Sequence, residues 1–430
     1  MSAVRVLSGA NFNLLSRALT VTASQQDSLY PVSGLYDYDP SHPWRNTDVE
    51  EEDEVVDNVT ITADLAMAQG DFEAAFVGGV PDSEVLTPYV KTGPGTLVAT
   101  TTAGEFHSGA AAVKIQVGAS ETTLYYDYTV RPGETLRADM WLRRGPLGSA
   151  TANIRIRNRR TGMYLTGAGA WQAGLVSTFT STDTSYEHKQ LTFVMEGITT
   201  CLQDEVKLRV SFLATGGGAS TDNACFDDCF LAPAWNFSSV HGSTLAPALV
   251  TTLRSSDDNF SSDDVEEAVF VVAQPSFYTV LPALRVERYV RLKMLGPAPE
   301  IITIGEWVVG QTVTLTQAQN FPLGQAFVEQ DIYAEGLAGN PKVHNISYHP
   351  RRRLGLEFRA NTLADFEEAK WHVFRRSRGR FNPLVYVPID DRPECYFGLI
   401  SNEWETSLEF LYTNDYSFSF LESAFFAVGL

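Results

Sequence analysis

Hydrophobic and polar residues alternate with a period of two along most of the chain. Runs such as ANIRIRNR, HKQLTFVME, EVKLRVSFL, RYVRLKML and YSFSFLES are separated by clusters of Gly, Pro, Asn and Ser. That period places successive side chains on opposite faces of a pleated strand, so these runs predict an all-β protein. One stretch departs from it. Thr362 to Arg376, TLADFEEAKWHVFRR, has helical spacing, with Leu363, Phe366, Ala369, Val373 and Phe374 as its apolar stripe. Thr362 with Asp365 resembles a capping box, and Arg375 and Arg376 suit the negative end of the helix dipole. In the last alternating run, Tyr416, Phe418 and Phe420 share one side, as expected of a paired edge or an inter-subunit strand.

The alternation also shows a break. ITADLAMAQGDFEAAF, residues 61–76, begins as a strand and ends as the opening of a new unit. Residues 18–46, ALTVTASQQDSLYPVSGLYDYDPSHPWRN, resemble the start of a discoidin-like β-sandwich. The pieces that would follow in that family lie far downstream, in AWNFSSVHGSTLAPALVTTLRSSDDNF at 234–260 and in RYVRLKMLGP and ITIGEWVVG within 288–310. The intervening part opens with Gly70-Asp71-Phe72-Glu73, continues through FHSGAAAVKIQV and a Pro-Gly turn before a long Trp strand, and closes with FDDCFLAP. That order resembles jelly-roll carbohydrate-binding modules of the family 4/9 type. The resemblances imply a discontinuous discoidin-like β-sandwich from 1–68 and 234–312, with a jelly roll inserted at 69–233. Such an insertion costs little loop-closure entropy if its own ends meet.

Composition narrows the function classes. The chain has 430 residues and a net charge of −20, which argues against a protein that coats nucleic acid or reads it directly. No run of eighteen apolar residues is present, so no membrane span is expected, and the N-terminus reads as carrying no secretory signal. Four cysteines do not make a disulfide framework; Cys225 and Cys229, four apart on a strand, read as small buried hydrophobes. The acidic stretches 49–57 and 258–268 read as solvated loops. No nucleophile elbow, zinc-protease helix or phosphate loop occurs, and the expectation is a protein that is not an enzyme.

The module resemblance implies candidate sites. A structural calcium near the chain ends of such modules would draw here on Asp71, Glu73, Asp227 and Asp228, with the carbonyl of Lys114 as a further oxygen. Sugar binding calls for exposed rings, and Trp171, after the Gly-rich TGAGA, is the favoured one, with Tyr164, Tyr126 and Tyr128 beside it. In LYYDYTV one face must be core, and Trp141 is expected in a core.

Residues 313–430 form a third expected domain, a β-sandwich or barrel carrying the helix at 362–376. In the order of its strands it resembles ring-forming domains of phage tail-tube and distal-tail proteins. Its basic residues, among them Arg351, Arg352, Arg353, Arg375, Arg376, Arg378 and Arg380, are expected to register the chain against acidic neighbours. The combined expectation is a virion protein of a phage tail tip, assembled in the host cytoplasm. It would form a trimeric or hexameric ring with other tail proteins and bind a host surface polysaccharide. The competing expectations are a purely architectural tail or capsid-decorating protein and a tail polysaccharide depolymerase.

Overall fold

The computed structural model of the chain describes residues 4–8, 11–39, 42–46, 59–67, 89–100, 106–109, 112–117, 121–145, 149–196, 205–216, 222–243, 250–270, 276–295, 302–315, 324–328, 331–335, 341–345, 351–360, 364, 367, 370–376, 382–388, 395–400, 405–410 and 413–422. The alternating runs are antiparallel strands, so the protein is all-β. Two compact units emerge, Met1–Leu65 with Trp235–Leu430, and Ala66–Ala234.

In the discontinuous unit a five-stranded sheet has the order Val265–Phe270, Val250–Ser256, Tyr289–Leu295, Val59–Asp64, Thr20–Ala23. Register sets Leu292 opposite Ile61 and Val290 opposite Ala63, and all four side chains are buried. Asp64 is gripped by the Arg288 guanidinium through two bonds of 2.8 and 2.7 Å, and the Leu65 amide donates to the Arg288 carbonyl. Facing this sheet is a smaller one, ordered Phe277–Arg285, Trp235–His241, Glu306–Gly310. Between them lie Trp44, Trp235, Trp307, Leu253 and Phe277. Each such side chain taken out of water contributes roughly 1.5–3 kcal/mol.

The smaller sheet is buried on its other face too. There Phe237 and Val308 pack with Leu7, Phe12, Val385, Val387 and Phe397. Leu7 belongs to strand Val4–Ser8, which pairs with Val313–Leu315 on one side and Leu384–Val387 on the other, within an eight-stranded sheet of the C-terminal region. This corrects the expected boundaries. The first strand belongs to the C-terminal sheet and not to the sandwich expected of residues 1–68 and 234–312, and residues 313–430 do not stand apart, because the two regions share a hydrophobic core. Double burial also dictates the polar chemistry of the small sheet. The Trp307 indole N–H donates to Ser238, and Ser239 bonds His241 at 2.8 Å. Asn13 accepts from the amides of Leu15 and Val309 and donates to the Trp307 carbonyl (2.8 Å) and to Glu306. Burial pushes the Glu306 carboxyl well above its usual range.

Two further expectations change. The stretch 258–268 is a loop only in its first part and then enters strand Val265–Phe270. Its loop is organised by Asp258, which accepts from the Ser256 hydroxyl and the amides of Ser261, Ser262 and Asp263, with Asn259 and Phe260 at positive φ. The expected helix at 362–376 is described at Ala364 and Glu367 and as a wide π-type turn at Lys370–Arg375. The Arg376 amide reaches back five residues to the Trp371 carbonyl (3.1 Å). That wider winding buries Trp371, which an apolar stripe of 3.6 spacing omits, together with Val373. Leu363, Phe366 and Ala369 lie outside the described residues, as does the acidic stretch 49–57.

The second unit is a sandwich of two sheets. One runs Trp171–Gln172, Tyr164–Leu165, Thr151–Asn158, Val206–Thr215, Thr122–Val130, Val90–Thr92, with Phe179–Ser181 also paired to Thr151–Asn158. The other runs Glu187–Val194, Thr135–Arg144, Asn223–Pro233, Ala112–Gln116, Leu97–Thr100. Tyr128, Met140, Leu142, Ile154, Phe212 and Phe226 fill the space between. Cys225 and Cys229 are free and buried.

Asn13 is the polar joint of the discontinuous unit. Replacement Asn13→Ala strands buried donors and acceptors at both ends of its side chain. It is expected to lower that unit's stability by about 3 kcal/mol, measured by urea denaturation.

Candidate functional site

In the strand Thr135–Arg144 the even-numbered Leu136, Ala138, Met140 and Leu142 enter the core. Arg137, Asp139, Trp141 and Arg143 therefore share the outer face. Register brings His188 opposite Trp141 and Gln190 opposite Asp139 from one neighbour, and Asp227 opposite Trp141 from the other. Trp141, expected in the core, thus sits at the centre of the outer face.

The second neighbour is irregular. Its register shifts between Asp227 and Phe230, and Asp228 adopts φ 42. Such a bulge re-aims side chains. Here the two successive carboxylates take separate tasks. Asp227 accepts from the amides of His107 (2.7 Å), Ser108 (3.1 Å) and Asp228 (2.9 Å), fastening the 107–108 segment to the sheet. Asp228 then bonds Nδ1 of His107 at 2.8 Å.

Fastened in this way, the His107 ring lies flat on Trp141, with centroids 3.6 Å apart and planes 17° apart. His188 lies on the other face at 4.6 Å and 12°. Its Nε2 bonds Asp139 at 2.6 Å, and Asp139 also accepts from Arg137 (2.6 Å) and Gln190 (3.1 Å). The result is a ridge, imidazole–indole–imidazole, with a carboxylate behind each imidazole. Tyr186 stands edge-on to His107 and beneath the guanidinium of Arg143. Burial pushes the Tyr186 phenol up, and burial raises the Asp227 carboxyl to about 6 against the pull of its amide donors.

This geometry sets what the ridge can do. Both faces of the indole are covered, so no sugar ring can stack on them. What the ridge offers is the outer face and edge nitrogens of exposed imidazoles, the amide of Gln190 and the indole edge. These are hydrogen-bond donors and acceptors on a firm apolar base. Asp139 and Asp228 are each committed to an imidazole.

The expected sugar-binding rings are placed otherwise. Tyr128 is 1 % exposed and belongs to the core. Tyr126 packs edge-to-face on it at 4.6 Å. Trp171 leans on the same core against Phe193, with its indole N–H donating to the Val194 carbonyl. Their apolar rings follow the inward side of the pleat, leaving Tyr125 and Asp127 on the outer side. Tyr164 is half-buried beside Arg157, with 5.3 Å between the guanidinium and its ring.

Of the expected calcium ligands, Asp71 and Glu73 lie outside the described residues. The Lys114 strand position pairs with Cys225 and Val98. Asp227 faces three N–H donors, which is an environment for an anion's hydrogen bonds and not for a cation. Among the described residues no group of three or more His, Cys, Asp or Glu side chains could hold a metal ion.

Of the C-terminal arginines, Arg375 is exposed beside Trp371, whereas Arg376 is 5 % exposed and unavailable to a neighbour. Arg351, Arg352 and Arg353 lie on strand Arg351–Ala360, and Arg378 and Arg380 lie outside the described residues. The sequence reading missed His107, His188 and Asp139. The signal for two of them was present, since DMW and EHKQ alternate so that Asp139 with Trp141, and His188 with Gln190, share faces. His107 carried none, because a strand bulge delivers its partner.

No family model and no curated protein matches the chain. Among solved structures, it is similar to a CBM61 module solved with β-1,4-galactotriose, at 13% identity and a TM-score of 0.25, covering 39% of this chain and 99% of that one. The CBM22-1 xylan-binding domain of Paenibacillus barcinonensis Xyn10C matches at 10% identity and a TM-score of 0.26, covering 39% and 94%. The enzymatically active domain of tailspike protein 4 of bacteriophage CBA120 matches at 10% identity and a TM-score of 0.22, covering 34% of this chain and 19% of that one.

Asp227 holds its proton to about pH 6 in the fold, against about pH 4 in an unfolded chain. The fold therefore binds more protons across that window. The contribution of Asp227 to stability is greatest below about pH 4, declines as pH rises through about 6, and is flat above it. The gap in urea midpoint between wild type and Asp227→Asn should change between about pH 4 and 6 and stay constant from about 7 to 8.

Proposed function

We propose that this chain is a non-enzymatic structural protein of a phage tail tip whose inserted sandwich attaches to a polysaccharide of the host surface. The observation that carries this reading is the ridge of His107, Trp141 and His188, fixed from behind by Asp139, which bonds His188, Arg137 and Gln190, and by the Asp227–Asp228 bulge. A purely structural sheet face has no need of two exposed imidazoles held at set positions. Each ridge would make a weak contact with hydroxyl-rich ligand. Display on a trimeric or hexameric ring beside other tail proteins would multiply it, because linked sites bind at high effective concentration. The resemblance of residues 313–430 to ring-forming tail domains supports that display. In this reading the chain assembles in the host cytoplasm and resides in the virion.

One observation favours a second reading, of an architectural sandwich that binds no sugar. The indole faces are closed by the two imidazoles, leaving no open pyranose platform on Trp141.

A panel of bacterial surface polysaccharides, bound by the full chain, separates the two. Attachment predicts measurable binding that falls about tenfold, or 1.4 kcal/mol, in His188→Ala and in Gln190→Ala. Absence of binding across the panel, or binding indifferent to both substitutions, leaves only the architectural reading.

A further inference from the structure

The other sheet of the inserted unit carries a second outer face with different chemistry. Register sets Arg157 directly opposite Arg209, and Arg209 opposite Asp127. Lys207 lies two residues from Arg209 on the same side, the Arg159 amide donates to the Lys207 carbonyl at 2.9 Å, and Arg160 follows in the turn. Five cations thus gather at one end of one sheet, in a chain whose net charge is −20.

Their compensation is partial. Asp127 is taken by Arg209 through two bonds of 2.7 and 2.8 Å. Arg209, then Arg159 and Lys207 at longer range, hold its carboxyl below the usual range. Glu196 is engaged by Asn158 and Thr161. Among the described residues Arg157, Arg159, Arg160 and Lys207 have no carboxylate partner, and Nε of Arg157 is buried with no acceptor. Like charges directly opposite across two strands destabilise a sheet, by an amount similar to what an opposite-charge pair contributes. Stability alone therefore does not account for Arg157 against Arg209. Arg209 is further held by stacking at 3.5 Å on Tyr125, and Arg157 lies beside the Tyr164 ring. The guanidinium forks are thus positioned by rings.

We propose that this face binds a carboxylate-bearing polysaccharide, with the forks of Arg157, Arg159 and Arg160 on its carboxylates and Tyr164 against a sugar ring. A guanidinium matches a carboxylate in two parallel bonds, which a lysine cannot do. Charge spacing sets this class apart from duplex nucleic acid. A duplex carries one charge about every 1.7 Å, and the acidic chain repels so dense a polyanion more strongly than a uronate polymer, which has at most one charge per sugar. A single nucleic-acid strand also has one charge per sugar, and the oligo-dT arm of the test below separates it. The site lies on a different sheet from the ridge, so either can fail while the other stands.

The test is affinity electrophoresis of the full chain in gels containing polygalacturonate, neutral galactan or oligo-dT. Polygalacturonate should retard the wild type and lose its hold in roughly 0.5 M salt. The variant Arg157→Gln/Arg159→Gln/Arg160→Gln should bind it about tenfold more weakly, with retardation by neutral galactan unchanged. Arg157→Lys, which keeps the charge but not the fork, should show a smaller loss. Because Arg159 and Arg160 are exposed in a turn, Arg159→Gln/Arg160→Gln carries the test should the triple variant misfold. The proposal is overturned if polygalacturonate fails to retard the wild type at low salt, if wild type and variants are retarded equally, or if oligo-dT is held as well and lost in the same variants.

Discussion

The discontinuous unit depends on two neighbouring strands of a small sheet that are buried on both faces. Strands Trp235–His241 and Glu306–Gly310 press Trp235, Trp307 and Val309 against one core and Phe237 and Val308 against another. On strands buried on both sides a side-chain polar atom depends on internal partners, since stranded groups cost about 1–3 kcal/mol each. Ser238, Ser239, His241 and Glu306 on these two strands, and Asn13 at their joint, are all buried. Asn13 comes from the first thirteen residues, so the amino-terminal segment is an integral part of the C-terminal half's architecture.

In the inserted unit a single irregularity governs the outer face. A regular strand would send Asp227 and Asp228 to opposite sides of the sheet. The bulge lets both serve one segment, Asp227 by gripping its amides and Asp228 by gripping its imidazole. The aromatic stack on Trp141 is thus a product of backbone geometry as much as of ring attraction.

Much of this was legible from the chain's period. Alternation fixes strand type, and the all-β architecture follows. It also tells which residues share a face, as with Arg137, Asp139 and Trp141. It does not tell which face is core, and for that reason the sequence alone points to Tyr126 and Tyr128 as ligand rings and to Trp141 as core. In LYYDYTV rings occupy both faces, so hydrophobicity cannot choose. The partner of each strand is likewise invisible locally. Val4–Ser8 is an ordinary apolar run, and nothing in it announces that its neighbours are Val313–Leu315 and Leu384–Val387. The basic row of Arg157 and Arg209 depends on register between distant strands, and the π-type winding that buries Trp371 breaks the spacing by which helices are recognised.

The Asp64–Arg288 clasp has a temporal side. Its two members are 224 residues apart in sequence. At 5–20 residues per second of synthesis, strand Val59–Asp64 waits about 11–45 s for the residue that secures it. The whole inserted sandwich emerges within that interval and can finish folding, because among the described residues all its strand pairings are internal. The host of the insertion is therefore the last to close, and through that wait its early apolar strands need shelter from one another's copies on neighbouring ribosomes.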